Sequence, residues 1–223
     1  MTDEDDNDDM PCLSTEAMLA LQEFMNEKQM QNNLSSDSNT DEPLKVNDIE
    51  ENWQLSQFWY DDQTAEQLSS EALNEIENSG KIALIGCPSI YYFLKKRIND
   101  SVSIRLLDVD KRFSAYKDDF IYYDYNEPLP PHIKDQWKNY FDIVVLDPPF
   151  LSEECFLKCA LTAKYLAKDK IIICTGAVME SFVKKVLNAN KTTFEPKHKN
   201  NLANEFCCYI NYSSKSLKLA SES

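Results

Sequence analysis

Residues Phe141–Phe150 read FDIVVLDPPF: an apolar run of strand length that stops at an aspartate, two prolines and an aromatic ring. The run is too short for an ordinary helix and rich in β-branched residues, so it reads as a strand buried on both faces. Two prolines directly after it make a rigid turn in which neither Pro148 nor Pro149 offers an amide hydrogen. The Asp147 carboxylate and its neighbouring backbone carbonyl are left as acceptors at the strand's end, with Phe150 beside them. Two acceptors and an aromatic face suit an amino group, because the acceptors orient its hydrogens while the ring stacks on a base or faces a cation. In isolation the same residues would make an ordinary turn. Their neighbours along the chain change that reading.

Upstream, Lys81–Gly86 (KIALIG), Ser103–Val109 (SIRLLDV) and Phe120–Tyr123 (FIYY) repeat the short apolar pattern. Lys170–Cys174 (KIIIC), Lys191–Glu195 and Glu205–Tyr212 (EFCCYINY) continue it downstream. Helical periodicity fills the gaps at 64–78, 89–97, 152–168 and 178–188. Gly80 is placed to stop the first of these, and Ser152 to cap the third, with Glu153 and Glu154 at its positive end. Apolar strands alternating with helices predict a parallel sheet covered on both faces. The last two strands are joined by polar residues alone and are expected to pair antiparallel. The fold class is therefore doubly wound α/β with an antiparallel ending.

Open sheets of this kind bind ligands at the carboxyl ends of their strands. Those ends carry Gly86-Cys87-Pro88-Ser89, Asp108-Val109-Asp110, Asp124-Tyr125-Asn126 and Asp147-Pro148-Pro149-Phe150. Aspartate favours turns on its own account, yet three carboxylates at corresponding strand ends point to a shared ligand. A carboxylate after the second strand can accept hydrogen bonds from ribose hydroxyls. With only 3 Gly in the chain, neither the GxGxxG dinucleotide fingerprint nor a P-loop is available.

The chain has 223 residues and a formal net charge of -15. That charge is uneven: residues 1–52 hold 15 acids and 2 bases, residues 53–223 hold 23 acids and 21 bases. Residues 1–52 are thus expected to form an acidic, mostly disordered tail, with one short amphipathic helix behind Ser14, and residues 53–223 the folded domain. No apolar run approaches the roughly 18 residues of a membrane span, and the acidic N-terminus resembles neither a secretory signal nor a transit peptide. The 7 Cys include no CxxC pair and no zinc-site spacing, which predicts reduced thiols in a cytoplasmic or nuclear protein and no metal. His132 and His198 have no partner set in the sequence, and Cys155 and Cys159 read as core thiols.

The strand-plus-DPPF motif resembles the [DN]PP[FYW] motif of class I S-adenosylmethionine-dependent amino-methyltransferases. LSQFWYDDQTAEQL (Leu55–Leu68), LLDVDKRF (Leu106–Phe113), FIYYDYN (Phe120–Asn126), VVLDPPF and NNLANEFCCYINY (Asn200–Tyr212) resemble more narrowly the eukaryotic elongation factor 1-alpha lysine methyltransferase 1 family. That family was formerly labelled as N6-adenine-specific DNA methyltransferases. The resemblance implies a Rossmann-like seven-stranded sheet and methyl transfer from S-adenosylmethionine to a lysine of elongation factor 1-alpha, in the cytoplasm. Carried over by position, Gly86, Cys87, Pro88 and Ser89 would approach the methionine moiety. Asp108, or Asp110 two residues on, would take the ribose hydroxyls, and Asp124 and Tyr125 would meet the adenine. Asp147, Pro148, Pro149 and Phe150 would hold the acceptor lysine, while Phe58, Trp59 and Tyr60, helped by Thr64, would close over the cofactor from the N-terminal side. The first turn departs from the usual GxGxG of class I enzymes.

The rival enzymatic reading is N6-adenine methylation of DNA or RNA, which DPPF alone would equally allow. Nucleic-acid binding draws on Lys and Arg contacts to phosphate, and a body this close to charge balance behind an anionic tail fits a basic protein better. A third reading is a non-enzymatic binding module built on a degenerate fold. A monomer without membrane or nucleic-acid partners is expected.

Overall fold

A lone glycine explains how the first and fourth strands come together at the functional edge. Gly86 has φ +68°, and a Cβ there would lie 2.5 Å from the backbone oxygen of Asp147. The chain turns at Gly86 because only glycine takes this left-handed conformation without strain while admitting so close a carbonyl. In the computed structural model, which describes Val46, residues 49–200, Leu202 and residues 204–220, this contact joins two central strands. Gly86→Ala should therefore cost about 1–3 kcal/mol in backbone strain alone. A melting temperature several degrees below wild type is expected by differential scanning calorimetry.

The elements alternate as the apolar pattern requires. In chain order they are α1 (Asp62–Glu75), β1 (Gly80–Ile85), α2 (Pro88–Lys95), β2 (Val102–Asp108), β3 (Phe120–Tyr122), α3 (Pro131–Lys134), β4 (Phe141–Leu146), α4 (Glu153–Leu166), β5 (Ala167–Gly176), α5 (Glu180–Leu187), β6 (Asn190–Lys191) and β7 (Phe206–Ile210). The strand order is β3-β2-β1-β4-β5-β7-β6. β1 to β5 pair in parallel, and β7 runs antiparallel between β5 and β6. The order reverses between β1 and β4, which opens a crevice at their carboxyl ends. The doubly wound α/β expectation and its antiparallel ending are both met.

Side chains alternate across the sheet into two buried layers. One contains Leu68, Ala72, Leu84, Ile90, Leu106, Val145 and Ile172; the other contains Ala83, Leu107, Val144, Phe156, Ala160, Ile173 and Val183. Two helix starts follow from their caps. Asp61 accepts from the Thr64 amide at 2.7 Å, and Ser152 from the Cys155 amide at 3.3 Å. Each satisfies one amide that the first helical turn leaves free.

Three local differences from the sequence reading have simple causes. Gly80 does not stop α1; Glu77 (φ 51°) and Asn78 (φ 55°) make the left-handed turn. Gly80 instead opens β1, where a Cβ would meet Asp142 Oδ2 at 2.7 Å. Lys111–Asp119 forms a 3-10 segment that hydrophobic periodicity could not show, because only Phe113 and Tyr116 are buried there. The expected sixth strand shrinks to Asn190–Lys191. The body also reaches upstream of Trp53: Val46 is buried in the core, and Glu51 accepts from the Trp59 amide at 2.9 Å. The expected tail helix lies outside the described residues.

Candidate functional site

The carboxyl ends of β1, β2 and β4 open into one cavity of about 580 Å³. Its lining includes Gly86, Cys87, Pro88, Ser89, Asp108, Asp124, Tyr125 and all four residues of Asp147–Phe150. Such a volume fits a nucleoside-sized ligand with room for a second group. The segment from Gln54 to Tyr60 lines it from the other side, so part of the wall comes from chain preceding the first strand.

Asp147 is fixed at both backbone and side chain. Its amide donates to Ile85 O at 3.0 Å, extending the β1–β4 ladder by one residue. Its Oδ2 accepts from the Tyr60 hydroxyl at 2.5 Å. Burial pushes the Asp147 carboxyl up to about 7; the Tyr60 bond opposes this rise and the Asp108 charge adds to it. Removal from water disfavours the charged form, and a nearby like charge does the same. Tyr60 is itself fully enclosed, and burial with the Asp147 charge pushes its phenol well above the ordinary range. The hydroxyl therefore stays protonated and donates. Phe150 is 40% exposed at the mouth, with Tyr125 edge-on at 6.0 Å between centroids.

The two carboxylates that follow β2 have different surroundings. Asp108 is 7% exposed, and burial raises it to about 7. Its Oδ1 accepts from the Asp110 amide at 2.9 Å, and no ion pair to it forms among the described residues. Asp110 turns away from the cavity. It accepts from Arg112 Nη2 at 2.7 Å and from Gln57 Nε2 at 2.8 Å, and despite burial these partners hold it below the usual carboxylate range. Arg112 also donates to Gln57 Oε1 at 3.0 Å and to Glu50 O at 3.1 Å. Asp110 thus fastens the Gln54–Tyr60 segment over the site, while Asp108 faces the space beneath it.

Thr64 stands behind the wall rather than in it. Its hydroxyl accepts from the Lys197 amide at 2.9 Å, tying α1 to the chain between β6 and β7. That stretch and the start of β7 bring in residues to which the sequence assigned no place in a site: His198, Leu202, Asn204 and Phe206 also line the cavity. The sequence carried a weak signal for them in the polar link between two strand candidates. Cys159 lines the floor, and no group of His, Cys, Asp and Glu suited to a metal ion occurs among the described residues.

Residues 51–214 match the family profile described as "Probable N6-adenine methyltransferase". The chain is 47% identical to EEF1A lysine methyltransferase 1 of Gallus gallus over 213 residues, covering 95% of this chain and 98% of that protein. It is 46% identical to EEF1A lysine methyltransferase 1 of Homo sapiens, covering 94% of this chain and 95% of that protein. Among solved structures, a branched-chain polyamine synthase mutein from Thermus thermophilus, in complex with N4-aminopropylspermidine and 5'-methylthioadenosine, superposes with a TM-score of 0.51. The likeness is one of fold, at 11% identity over 74% of this chain and 59% of that one.

Proposed function

The chain belongs to the EEF1A lysine methyltransferase 1 family, and we propose that it transfers a methyl group from S-adenosylmethionine to a lysine of elongation factor 1-alpha. The observation that carries this reading is the pair of carboxylates, buried Asp108 after β2 and partly buried Asp147 after β4, which flank the end of β1 and face one cavity. Asp108 is a buried acceptor without a cation partner among the described residues, as two ribose hydroxyls require. The Gly86 turn leaves backbone rather than side chain toward the cavity where the ends of β1 and β4 meet, so that an extended polar group can lie close. The residues present therefore fit S-adenosylmethionine.

Bound S-adenosylmethionine supplies an electrophilic sulfonium methyl, which a neutral amine takes in line as S-adenosylhomocysteine leaves. The chain's part is to hold the amine. Asp147 accepts from the lysine nitrogen, and the two proline nitrogens keep competing donors away. A free lysine ammonium has a pKa near 10.4 and must lose a proton before attack. Burial lowers that value, and a carboxyl at about 7 lies closer to the amine than an ordinary aspartate does. Efficient general bases are those whose pKa approaches the working pH. Asp124 and Tyr125 flank the place of the base, and Phe150 covers the lysine stem.

Tyr60→Phe tests this chemistry. The Tyr60 hydroxyl favours the ionised form of Asp147, so its loss raises the Asp147 pKa further. The acidic limb of kcat/KM against pH should move upward from about 7, with a several-fold loss at pH 7 that is largely recovered at pH 9. An unshifted limb would separate the rate from Asp147 ionisation.

Charge supports a protein substrate over the nucleic-acid alternative. The folded body has no basic excess to neutralise phosphates. A monomer working in the cytoplasm, where its substrate would be met, completes the reading; among the described residues no helix is long and apolar enough to cross a membrane. The deciding experiment offers labelled S-adenosylmethionine with purified elongation factor 1-alpha, DNA and RNA in parallel. Label in the protein supports the proposal, and label confined to nucleic acid refutes it.

A further inference from the structure

The chain between β6 and β7 is clipped to the segment entering α1 by paired backbone bonds. Lys199 N donates to Trp59 O at 2.8 Å, Asp61 N to Lys197 O at 3.0 Å, and Tyr60 and His198 face each other across an isolated antiparallel bridge. The clip holds the His198 ring 4.9 Å from the Tyr60 ring and 4.6 Å from the Phe206 ring, between centroids. All three residues line the cavity, and Tyr60 is bonded directly to Asp147. His198 is thus one ring removed from the carboxylate that receives the amine.

We infer that His198 is an acceptor-contacting residue whose imidazole, with Tyr60 and Phe206, walls the channel for the acceptor's alkylammonium chain beside Asp147. The inference rests on the lysine reading above. An aliphatic stem gains from contact with flat apolar ring faces, and its cationic head from their negative π surfaces. This wall works only if the imidazole is uncharged. Burial holds His198 down to about 4, prevailing over Glu51 and Asp61, whose charges act the other way. A neutral ring admits a cation that a protonated one would repel.

The test uses a bisubstrate probe: the S-adenosylhomocysteine scaffold, its sulfur replaced by a nitrogen that carries an alkylamine arm of lysine length. Isothermal titration compares this probe with S-adenosylhomocysteine itself, on wild type and on His198→Ala, His198→Phe and His198→Lys. The arm should strengthen wild-type binding at least about tenfold. His198→Ala should lose most of that gain, His198→Phe should keep it, and His198→Lys should lose it entirely. Affinity for S-adenosylhomocysteine should stay within about twofold throughout, with thermal melts confirming folding. With elongation factor 1-alpha, the acceptor KM of His198→Ala should rise about tenfold and that of His198→Phe should return toward wild type.

Retention of the gain by His198→Ala would overturn the inference. So would equal losses in His198→Ala and His198→Phe accompanied by weaker S-adenosylhomocysteine binding, which would make the clip a purely structural or cofactor-side wall. A wild type that binds the probe through its arm yet leaves elongation factor 1-alpha unmethylated would remove the proposed substrate and leave His198 in its role. Failure of wild type to bind S-adenosylhomocysteine would remove both.

Discussion

Asp147→Asn should lower kcat by about 10²–10⁴-fold, the range of a positioned proton-accepting group, with affinity for S-adenosylhomocysteine within a few-fold of wild type. Asparagine keeps the volume and one side-chain oxygen, so the Tyr60 hydroxyl retains an acceptor. What is lost is the negative charge and the capacity to receive a proton from the lysine. Asp147→Ala should be as inactive but less stable. It leaves the Tyr60 hydroxyl buried and unpaired, at about 1–3 kcal/mol. Comparing the two variants separates chemistry from scaffolding. Rapid-quench single turnovers with saturating labelled cofactor would isolate the methyl-transfer step. Equal loss of cofactor binding and turnover in Asp147→Asn would show that Asp147 serves the cofactor rather than the acceptor. An asparagine variant with near wild-type kcat would rule out a proton-accepting role.

The parts of the site that could be read from sequence are those built by short-range rules. Strand ends announce themselves where an apolar run stops, and each of the four turns singled out contributes residues to the cavity lining. The antiparallel pairing of β6 with β7 accords with the polar link between them. What the sequence could not resolve was which of two nearby carboxylates faces inward. Asp108 and Asp110 are separated by a single residue, and the choice is made by Arg112 and Gln57, which bind Asp110 from 2 and 53 positions away. His198 escaped for a related reason. Its partners, Tyr60 and Phe206, come from remote or non-periodic positions, and no local spacing encodes a clip between chain segments some 138 residues apart.

Asp108→Asn should weaken cofactor binding about 10–100-fold and, in the free enzyme, raise thermal stability at alkaline pH. Both effects follow from one buried carboxylate. In the fold its pKa is raised to about 7 from an ordinary 3.8, so the folded state binds this proton more tightly than the unfolded chain. The associated stability is fully present below about pH 4 and is lost as pH rises through 7. Asparagine does not ionise and escapes that loss. The melting temperatures of wild type and variant should then diverge between about pH 4 and 7 and stay apart above it, with the variant higher at pH 8. Cofactor binding reverses the balance, because ribose hydroxyls donate to the ionised form, and hydrogen bonds to a charged group contribute about 1.5–3 kcal/mol. Wild-type affinity for S-adenosylhomocysteine should accordingly increase from pH 6 to 8 relative to Asp108→Asn, a comparison in which the ligand's own titration cancels. The Asp147 carboxyl is also affected, since the Asp108 charge raises it; Asp108→Asn should shift the acidic limb of the rate profile to lower pH, opposite to Tyr60→Phe. A variant that binds cofactor as well as wild type at pH 8 would transfer the ribose contact to another acceptor. Opposite shifts in the two variants would establish that the two carboxylates share one electrostatic environment, in which burial keeps one ready for ribose and the other ready for the amine.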